Sequence, residues 1–223
     1  RHTRYRRSSR GLGDVYKRQA EARHTVDRLP FSQACENNKA YILEILIEAF
    51  ADRRCVLEIA AGTGQHACHF AGQMPWLRWQ PTELRDNLPL LEPRCEHYAG
   101  GNLLAPLALD VRTAPWPVPL PDAVFGANFL HIMAFSAVED FFEGLGQYGA
   151  ADTLLAVYGP FNYRGQYTSP SNARFDQWLA QQHPESAIRH FEEIDRLARA
   201  AGFVLQADHD MPANNRLLLW HRP

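Results

Sequence analysis

The fold of this chain is decided by one stretch of sequence, Val56-Leu57-Glu58-Ile59-Ala60-Ala61-Gly62-Thr63-Gly64-Gln65-His66, which passes from apolar to small residues. The mostly apolar residues 56–59 predict a strand that is buried on both faces of a parallel sheet. The two glycines that follow permit positive φ angles and the close approach of a ligand to the backbone. The stretch therefore predicts a strand, a tight turn that holds a nucleotide-like cofactor, and the beginning of a helix.

Two classes of cofactor fit this turn. Residues 62–67 satisfy the dinucleotide pattern G-x-G-x-x-G/A, and Glu83 follows at about the spacing of a ribose-binding acid. A carboxylate at Glu58, however, repels a pyrophosphate and attracts the sulfonium and ammonium groups of S-adenosylmethionine. No Lys or Arg lies between residues 56 and 77 to offset that repulsion, and no P-loop pattern G-K-[ST] follows. The sequence thus favours S-adenosylmethionine over NAD.

Length and composition predict one α/β domain, because 223 residues with 46% hydrophobic content can bury a single full core. No apolar run approaches the roughly 20 residues needed to span a bilayer, and no signal-peptide core begins the sequence. We therefore expect a cytoplasmic protein without a membrane partner. Four cysteines without a C-x-x-C pair favour reduced thiols over a disulfide framework; they are Cys35, Cys55, Cys68 and Cys95.

The first nineteen residues differ from the rest, because they carry seven basic residues and one acidic residue without apolar periodicity. Within them, residues 9–19 resemble the translation of a transposase adapter used in sequencing libraries. We expect residues 1–19 to be adapter read-through and residues 20–223 to form the single domain; the alternative is a basic targeting or nucleic-acid-binding arm. Without the nineteen residues the net charge is −8, which disfavours nucleic acid and favours a small-molecule substrate.

Strands and helices alternate along the chain, which predicts a seven-stranded, mostly parallel sheet with helices on both faces. After residues 56–59, strands are predicted at 76–82, 107–109, 122–127, 153–158, 203–208 and 216–221. Helices are predicted at 40–50, 66–74, 87–98, 138–148, 173–182 and 190–201. The segment 159–172, rich in Gly, Pro and Asn, is expected to be irregular and functional, since it follows a strand end.

The glycine turn, with Glu83 after the second strand and Asp110 after the third, resembles the class I S-adenosylmethionine-dependent methyltransferases. The resemblance implies a Rossmann-like fold in which the turn passes under the methionine part of the cofactor, Glu83 binds the ribose hydroxyls and Asp110 reads the adenine amine. Both acids are expected at exposed strand ends. Ala60 replaces the first glycine of the family pattern, which is expected to tighten the turn slightly. The implied cofactor-binding residues are Glu58, Ala60, Gly62, Gly64, Glu83, Asp110 and Asn128.

Longer motifs narrow the resemblance to the family known as domain of unknown function 938, which includes the animal methyltransferase-like protein 26. These motifs span residues 29–39, 128–133, 158–163, 168–172 and 211–215. The resemblance implies a methyltransferase fold that uses S-adenosylmethionine. It does not decide whether the acceptor atom is sulfur, nitrogen or oxygen.

Methyl transfer requires an aligned nucleophile and, where that nucleophile carries a proton, a base. Asn128 and His131 follow the fourth strand, near the expected position of the methyl group, and a histidine can accept a proton near neutral pH. Tyr158, at the end of the fifth strand, completes the predicted catalytic set. The alternative for His131 is a structural histidine at a helix start.

Three loops are predicted to contact the acceptor. One follows the fifth strand, and one connects the last two strands and is expected to face the acceptor or the polar segment around Asn37. That polar segment, residues 28–39, either caps the first helix through Asn37 or Asn38 or folds over the cofactor as a lid. The predicted substrate-binding residues are Asn37, Asn162, Tyr163, Tyr167, Asn214 and Asn215.

Other functions stay open beside a methyltransferase. One is a non-catalytic protein that binds S-adenosylmethionine or serves as a scaffold, and another is a nicotinamide-dependent oxidoreductase. A metal site is not expected, because His66, Cys68 and His69 lack an acidic ligand nearby in the sequence.

Overall fold

The computed structural model describes residues 29–118 and 121–223, and residues 31–223 form one compact unit. The adapter-like residues 1–19 lie outside the described residues. The helices are α1 (Gln33–Ala49), α2 (Gln65–Gln73), α3 (Leu88–Glu96), α4 (Phe135–Tyr148), α5 (Pro170–Gln182) and α6 (Phe191–Ala200). The strands are β1 (Cys55–Ile59), β2 (Arg78–Glu83), β3 (Leu107–Ala108), β4 (Ala123–Ala127), β5 (Leu154–Gly159), β6 (Phe161–Asn162), β7 (Arg189–His190), β8 (Val204–Met211) and β9 (Asn215–His221).

The main sheet confirms the predicted α/β fold. Its seven strands lie in the order β3-β2-β1-β4-β5-β9-β8, and all neighbours are parallel except β9, which is antiparallel to both β5 and β8. The chain runs outward from β1 to β3 and then crosses back to β4 on the other side of β1. This reversal creates a crevice at the carboxyl ends of β1 and β4, where open α/β sheets bind their ligands.

Helices cover both faces of the sheet, because its central strands are apolar on both sides. On β5, Val157 packs into the core beside α4 and α6, whereas Ala156 and Tyr158 pack into the core beside α1 and α2. Trp79 and Trp220 are fully buried. Each large apolar side chain buried in this way contributes about 1.5–3 kcal/mol. The carboxyl end of the central strand β1, from which the glycine turn leaves the sheet, is therefore held rigidly from both faces.

Helix α1 begins earlier than the sequence predicts. It starts at Gln33, and the N-cap is Ser32, whose Oγ accepts a hydrogen bond from the Cys35 N–H at 3.4 Å. The interpretation of Asn37 or Asn38 as the cap was wrong, because both lie inside the helix. Apolar spacing located only the part of α1 that packs on the sheet. The first turns are polar because they contact the start of α2 instead.

The segment 159–172 is more regular than predicted. Residues Phe161–Asn162 form β6, which pairs in parallel with β7 in a separate two-stranded sheet. Helix α5 already begins at Pro170, where the Ser169 Oγ accepts a hydrogen bond from the Asn172 N–H at 3.1 Å. A strand of two residues is too short to show a period in sequence.

The remaining predicted elements are confirmed to within three residues at each end. The four cysteines are free, as expected. Among residues 29–118 and 121–223, no helix combines the length and apolar character that a membrane crossing requires.

Candidate functional site

The glycine turn, residues 60–64, lies between β1 and α2 at the crevice. Its backbone is held by the Ala61 N–H, which donates to the Thr82 carbonyl at 2.9 Å. Gly62 has φ 57°, and a Cβ placed on it would meet no atom within 4 Å. Gly64 has φ 74°, and a Cβ there would lie 2.9 Å from Leu91 Cδ1 of α3. Gly62 therefore leaves open space for a ligand, whereas Gly64 allows α3 to pack closely.

Ala60 occupies the position of the first glycine in the family pattern. Its φ is 53°, in the left-handed region, which costs a residue with a Cβ about 1–2 kcal/mol. Ala60 therefore keeps the backbone conformation that suits glycine. The positive φ of Ala60 is a local strain at the end of β1.

Glu83 ends β2 and is only 7% exposed. Its Oε2 accepts a hydrogen bond from the Gly62 N–H at 2.8 Å, and its Oε1 accepts from the Leu84 N–H at 2.8 Å and from Asn87 Nδ2 at 3.3 Å. The expectation of an exposed strand end was wrong for Glu83, because three donors enclose the carboxylate. Glu83 thus fixes the glycine turn as well as facing the crevice edge.

Asp110 follows β3 and is partly exposed. Its Oδ1 accepts from Arg112 Nε at 2.8 Å and its Oδ2 from Arg112 Nη2 at 2.6 Å, and this pairing lowers the pKa of Asp110. Asp110 lines a cavity of about 590 Å³, within the usual range for small-molecule sites. The residues lining that cavity are Leu84, Arg85, Asp86, Asn87, Ala108, Asp110, Arg112, Thr113, Pro115 and Pro117. The structure therefore brings Asp110 beside the segment that follows Glu83.

Glu58 does not carry the charge that the sequence interpretation gave it. The side chain is 2% exposed, and its Oε2 accepts a hydrogen bond from Trp79 Nε1 at 2.6 Å. Burial raises the pKa of Glu58 to about 8, against the opposing effect of Trp79. At pH 7 the carboxyl is mostly neutral and points into the core. It neither repels a pyrophosphate nor attracts a sulfonium, and the preference for S-adenosylmethionine on that ground was wrong.

Asn128 and His131 converge at the end of β5. Asn128 follows β4 with φ 57°, and its N–H donates to the Tyr158 carbonyl at 2.8 Å. A Cβ placed on Gly159 would lie 3.6 Å from His131 Nδ1 and 3.9 Å from Asn128 Oδ1. The absence of a side chain at Gly159 thus leaves room where the two polar groups meet.

His131 is buried, and its ring contacts an aromatic side chain and lies near a charged one. It is 5% exposed, and no residue in the described parts of the chain forms a hydrogen bond to its ring nitrogens. Its ring packs edge-on against Phe175 of α5, with the ring centroids 5.5 Å apart. Burial, with a smaller effect of the Arg189 charge, lowers the pKa of His131 to about 4. The ring is therefore neutral at physiological pH and keeps a lone pair free.

Tyr158 lies on the face of β5 opposite Asn128 and His131, and only 3% of its surface is exposed. Burial raises the pKa of its hydroxyl, and hydrogen bonds with the side chains of Asn38 and Asn215 oppose that shift. Asn38 also accepts a hydrogen bond from His66 Nε2, 2.7 Å from its Oδ1. The structure thus connects α1, α2, β5 and the last hairpin through one polar network.

The other predicted acceptor residues of the N-terminal segment and the last hairpin are more exposed. Asn37 faces outward, and its Oδ1 accepts a hydrogen bond from Gln33 Nε2 at 2.8 Å. Asn214 is exposed as well and contacts α5, because its Nδ2 lies 3.4 Å from Ser171 Oγ. Only Asn215 of this pair reaches Tyr158.

The three predicted substrate-binding residues after β5, Asn162, Tyr163 and Tyr167, do not all face the same space. Tyr163 donates from its hydroxyl to Asp208 Oδ2 at 2.9 Å, against the edge strand β8. Tyr167 donates to Asp176 Oδ2 at 2.7 Å and, with the buried Asn162, lines a second cavity of about 250 Å³. Tyr163 thus fastens the loop to the hairpin, whereas Asn162 and Tyr167 border open space.

Sequence reasoning missed Gln65, Asn38 and Phe175. Gln65 directly follows the glycine turn, and this position was the available signal. Asn38 lay in a quoted motif but was treated only as a cap, and Phe175 carried no signal in the sequence. Among the described residues, no cluster of three or more His, Cys, Asp or Glu side chains is arranged to hold a metal ion.

In this sheet the parallel strands are added first on one side of β1 and then, from β4, on the other side, and a glycine turn follows β1 at this switch. That arrangement defines the class of Rossmann-like α/β proteins. Solved structures with this fold include an O-methyltransferase family protein from Burkholderia thailandensis, which is 16% identical with a TM-score of 0.72 over 82% of this chain and 56% of that chain. The S-adenosylmethionine-dependent methyltransferase SibL is 18% identical, with a TM-score of 0.69 over 96% of this chain and 59% of that chain.

PigF, solved with SAH, is 14% identical with a TM-score of 0.69 over 82% of this chain and 61% of that chain. This chain therefore spans less than two thirds of each of these three proteins. At such identities the likeness shows the fold alone. The chain itself belongs to the family described as "Protein of unknown function (DUF938)", whose family model matches residues 29–222, and the predicted membership is confirmed.

Proposed function

We propose that this protein is an S-adenosylmethionine-dependent methyltransferase that acts on a small-molecule acceptor. The observation that carries the proposal is an open glycine turn after β1 and a neutral, buried histidine after the neighbouring parallel strand β4, at the same end of the sheet. The glycine turn lets a bound cofactor approach the backbone closely, and the neutral histidine can accept the proton of a proton-bearing nucleophile.

The residues present fit the cofactor. Open space over Gly62 admits its methionine part, and the cavity beside Asp110 has the volume for its nucleoside part. Glu83 keeps lone pairs beyond those used by its three donors, so it can also accept from a ribose hydroxyl. Asp110 can read an adenine amine only if it shares its carboxylate with Arg112. PigF, a protein of the same fold, binds SAH.

When bound, the cofactor supplies an electrophilic methyl group. Gly62, Glu83 and Asp110 would hold the cofactor, and the acceptor atom would take up this methyl group. His131 takes the proton that the acceptor releases, because its ring is neutral and unpaired. Asn128 orients the acceptor beside His131, and alignment of this kind lowers the barrier by several kcal/mol.

Tyr158, with Asn38 and Asn215, lies on the face of β5 opposite His131, so it supports the strand end and takes no part in the proton transfer at His131. Tyr158 sits at the strand end with its oxygen held by two amide groups, so that its hydroxyl position is fixed. Asn162 and Tyr167 border the second cavity and are suited to the distal part of an acceptor. A hydroxyl, thiol or amine that must lose a proton suits the base at His131.

A nicotinamide-dependent oxidoreductase is the second candidate. The observation that favours it is Glu58, whose neutral, buried carboxyl presents no charge to a pyrophosphate. Calorimetric titrations with S-adenosylhomocysteine and with NADH separate the two. We expect binding of S-adenosylhomocysteine and none of NADH; the reverse result would replace the proposal.

Incubation with labelled S-adenosylmethionine and a metabolite extract would then identify the acceptor by its gain of the methyl group. A protein that binds the cofactor yet labels nothing would be a non-catalytic binder.

We expect Glu83→Ala to weaken S-adenosylhomocysteine binding by roughly 10- to 150-fold. The variant removes a charged acceptor from the Gly62 N–H and from the cofactor, and one such hydrogen bond contributes about 1.5–3 kcal/mol. Calorimetry measures the affinity, and a melting curve checks the fold. Glu92→Ala on the exposed side of α3 is the matched control and should bind as the wild type does. Equal affinities of the two variants would contradict the assignment of Glu83.

A further inference from the structure

Gln65 is the first residue of α2 and is only 6% exposed. Its Oε1 accepts hydrogen bonds from the Ser32 N–H and from Thr63 Oγ1, the latter at 3.0 Å. Its Nε2 donates to the Ser32 carbonyl at 3.2 Å and to Glu36 Oε2 at 3.2 Å. A carboxamide has two hydrogens on nitrogen and two lone pairs on oxygen. All four are used in hydrogen bonds within the protein, so the partners of Gln65 fix the position of its amide group.

The orientation of the Gln65 amide follows from its partners. The backbone N–H of Ser32 can only donate, and the Ser32 carbonyl and the Glu36 carboxylate can only accept. A reversed amide would place its NH₂ group against the Ser32 N–H and its oxygen against two acceptors. The side chain therefore pairs with both backbone groups of Ser32, as a neighbouring strand would, and joins the N-cap of α1 to the glycine turn.

The glycine turn is held from two directions at Thr63. The Thr63 hydroxyl bonds to Gln65, and the Thr63 carbonyl accepts from Arg94 Nε of α3 at 2.9 Å. His66, the next residue along α2, makes a second link to α1 through Asn38, and Asn38 bonds in turn to Tyr158. A ligand that orders the turn is thus connected to Tyr158, at the end of β5, through α1.

Resting on the proposed function, we propose that Gln65 is a positioning residue that couples the glycine turn to the first two turns of α1. Cofactor bound at the turn stabilises residues 32–39 and thereby sets Asn38 beside Tyr158 before an acceptor enters. Coupling of this kind is reciprocal, so a loosened α1 weakens cofactor binding by the same factor. The polar start of α1 is then a functional part of the cofactor site.

Hydrogen exchange of peptides that cover residues 31–40, with and without S-adenosylhomocysteine, tests this coupling. In the wild type, S-adenosylhomocysteine should slow exchange in these peptides. In Gln65→Ala that protection should be lost and affinity should fall at least about fivefold, the lower end of usual coupling energies. Gln73→Ala is the matched control, because Gln73 is exposed at the far end of the same helix. It should behave as the wild type does.

The possible results separate this inference from the proposed function. If the wild type does not bind S-adenosylhomocysteine, the proposed function fails. If the wild type binds it without protection of residues 31–40, or if Gln65→Ala keeps both protection and affinity, the coupling is refuted and the proposed function stands.

A charge exchange distinguishes positioning from a general effect on stability. Gln65→Glu places a carboxylate against the Glu36 carboxylate and the Ser32 carbonyl, so its affinity for S-adenosylhomocysteine should fall below that of Gln65→Ala. Adding Glu36→Gln returns a donor opposite the new acceptor and should recover part of the affinity. Residues in contact couple whatever their role, so melting temperatures are measured for the same three variants. A purely structural role predicts that affinity follows the melting temperature through all three, and that result would overturn the proposal.

Discussion

Replacement of His131 by alanine is expected to slow methyl transfer by about 10²–10⁴-fold, the usual effect of removing a general base. The expectation rests on a ring that is buried, neutral and without a hydrogen-bond partner at its nitrogens among the described residues. The rate is measured as methyl incorporation into the acceptor found with labelled cofactor. Affinity for S-adenosylhomocysteine should stay near that of the wild type, since His131 acts on the acceptor.

The pH dependence of the wild type gives an independent check. A base must be unprotonated to act, and burial lowers the pKa of His131 to about 4. Protonation of His131 should therefore lower the rate of methyl transfer only as pH falls towards about 4. An acid limb near 6.5, the ordinary histidine value, would contradict the assignment, as would a His131→Ala rate within twofold of the wild type. The exposed His97 at the end of α3 offers a control, and His97→Ala should leave the rate unchanged.

Replacement of Glu58 by glutamine is expected to stabilise the protein, increasingly so as pH rises. Burial raises the pKa of Glu58 from 4.5 to about 8. Below pH 4.5 the carboxyl is neutral in both folded and unfolded chains. Between 4.5 and 8 the unfolded chain gains by releasing the proton and the folded chain does not, so wild-type stability falls as pH rises. One unit of pKa difference corresponds to about 1.4 kcal/mol, and the total reaches several kcal/mol.

Urea unfolding at several pH values measures this effect. Glu58→Gln keeps an oxygen that accepts from Trp79 Nε1 but cannot ionise. The two proteins should be similar near pH 4.5, and the variant should be more stable at pH 8. Glu48→Gln on the exposed face of α1 should show no such trend. A difference between the two proteins that does not grow from pH 4.5 to pH 8 would contradict the raised pKa of Glu58.

The seven-stranded, mostly parallel sheet could be predicted from sequence because it depends on features that sequence states directly. Apolar runs of strand length alternate with amphipathic helices, and that alternation leaves few topologies other than a parallel sheet with covered faces. The glycine turn was recognised for the same reason, since positive φ at Gly62 and Gly64 is a property of the residue type.

The electrostatics of the site could not be predicted in the same way. Whether Glu58 is charged depends on Trp79, which is adjacent only after β1 and β2 have paired. The start of α1 was misplaced for a related reason, since Gln65 supplies the polar partner that apolar periodicity cannot show. The spacing of apolar residues along a chain carries no information on polar pairs that are distant in sequence.

Strand β9 has a consequence for how the protein is made. In space it lies between β5 and β8, and it carries the fully buried Leu217 and Trp220, yet it is synthesised after both of these neighbours. Until residues 215–221 leave the ribosome, β5 presents an unpaired edge to its surroundings. Exposed strand edges recruit other chains. The nascent protein is therefore prone to aggregate until β9 pairs with β5. Its yield in a cell should depend on chaperones that shield this edge during translation.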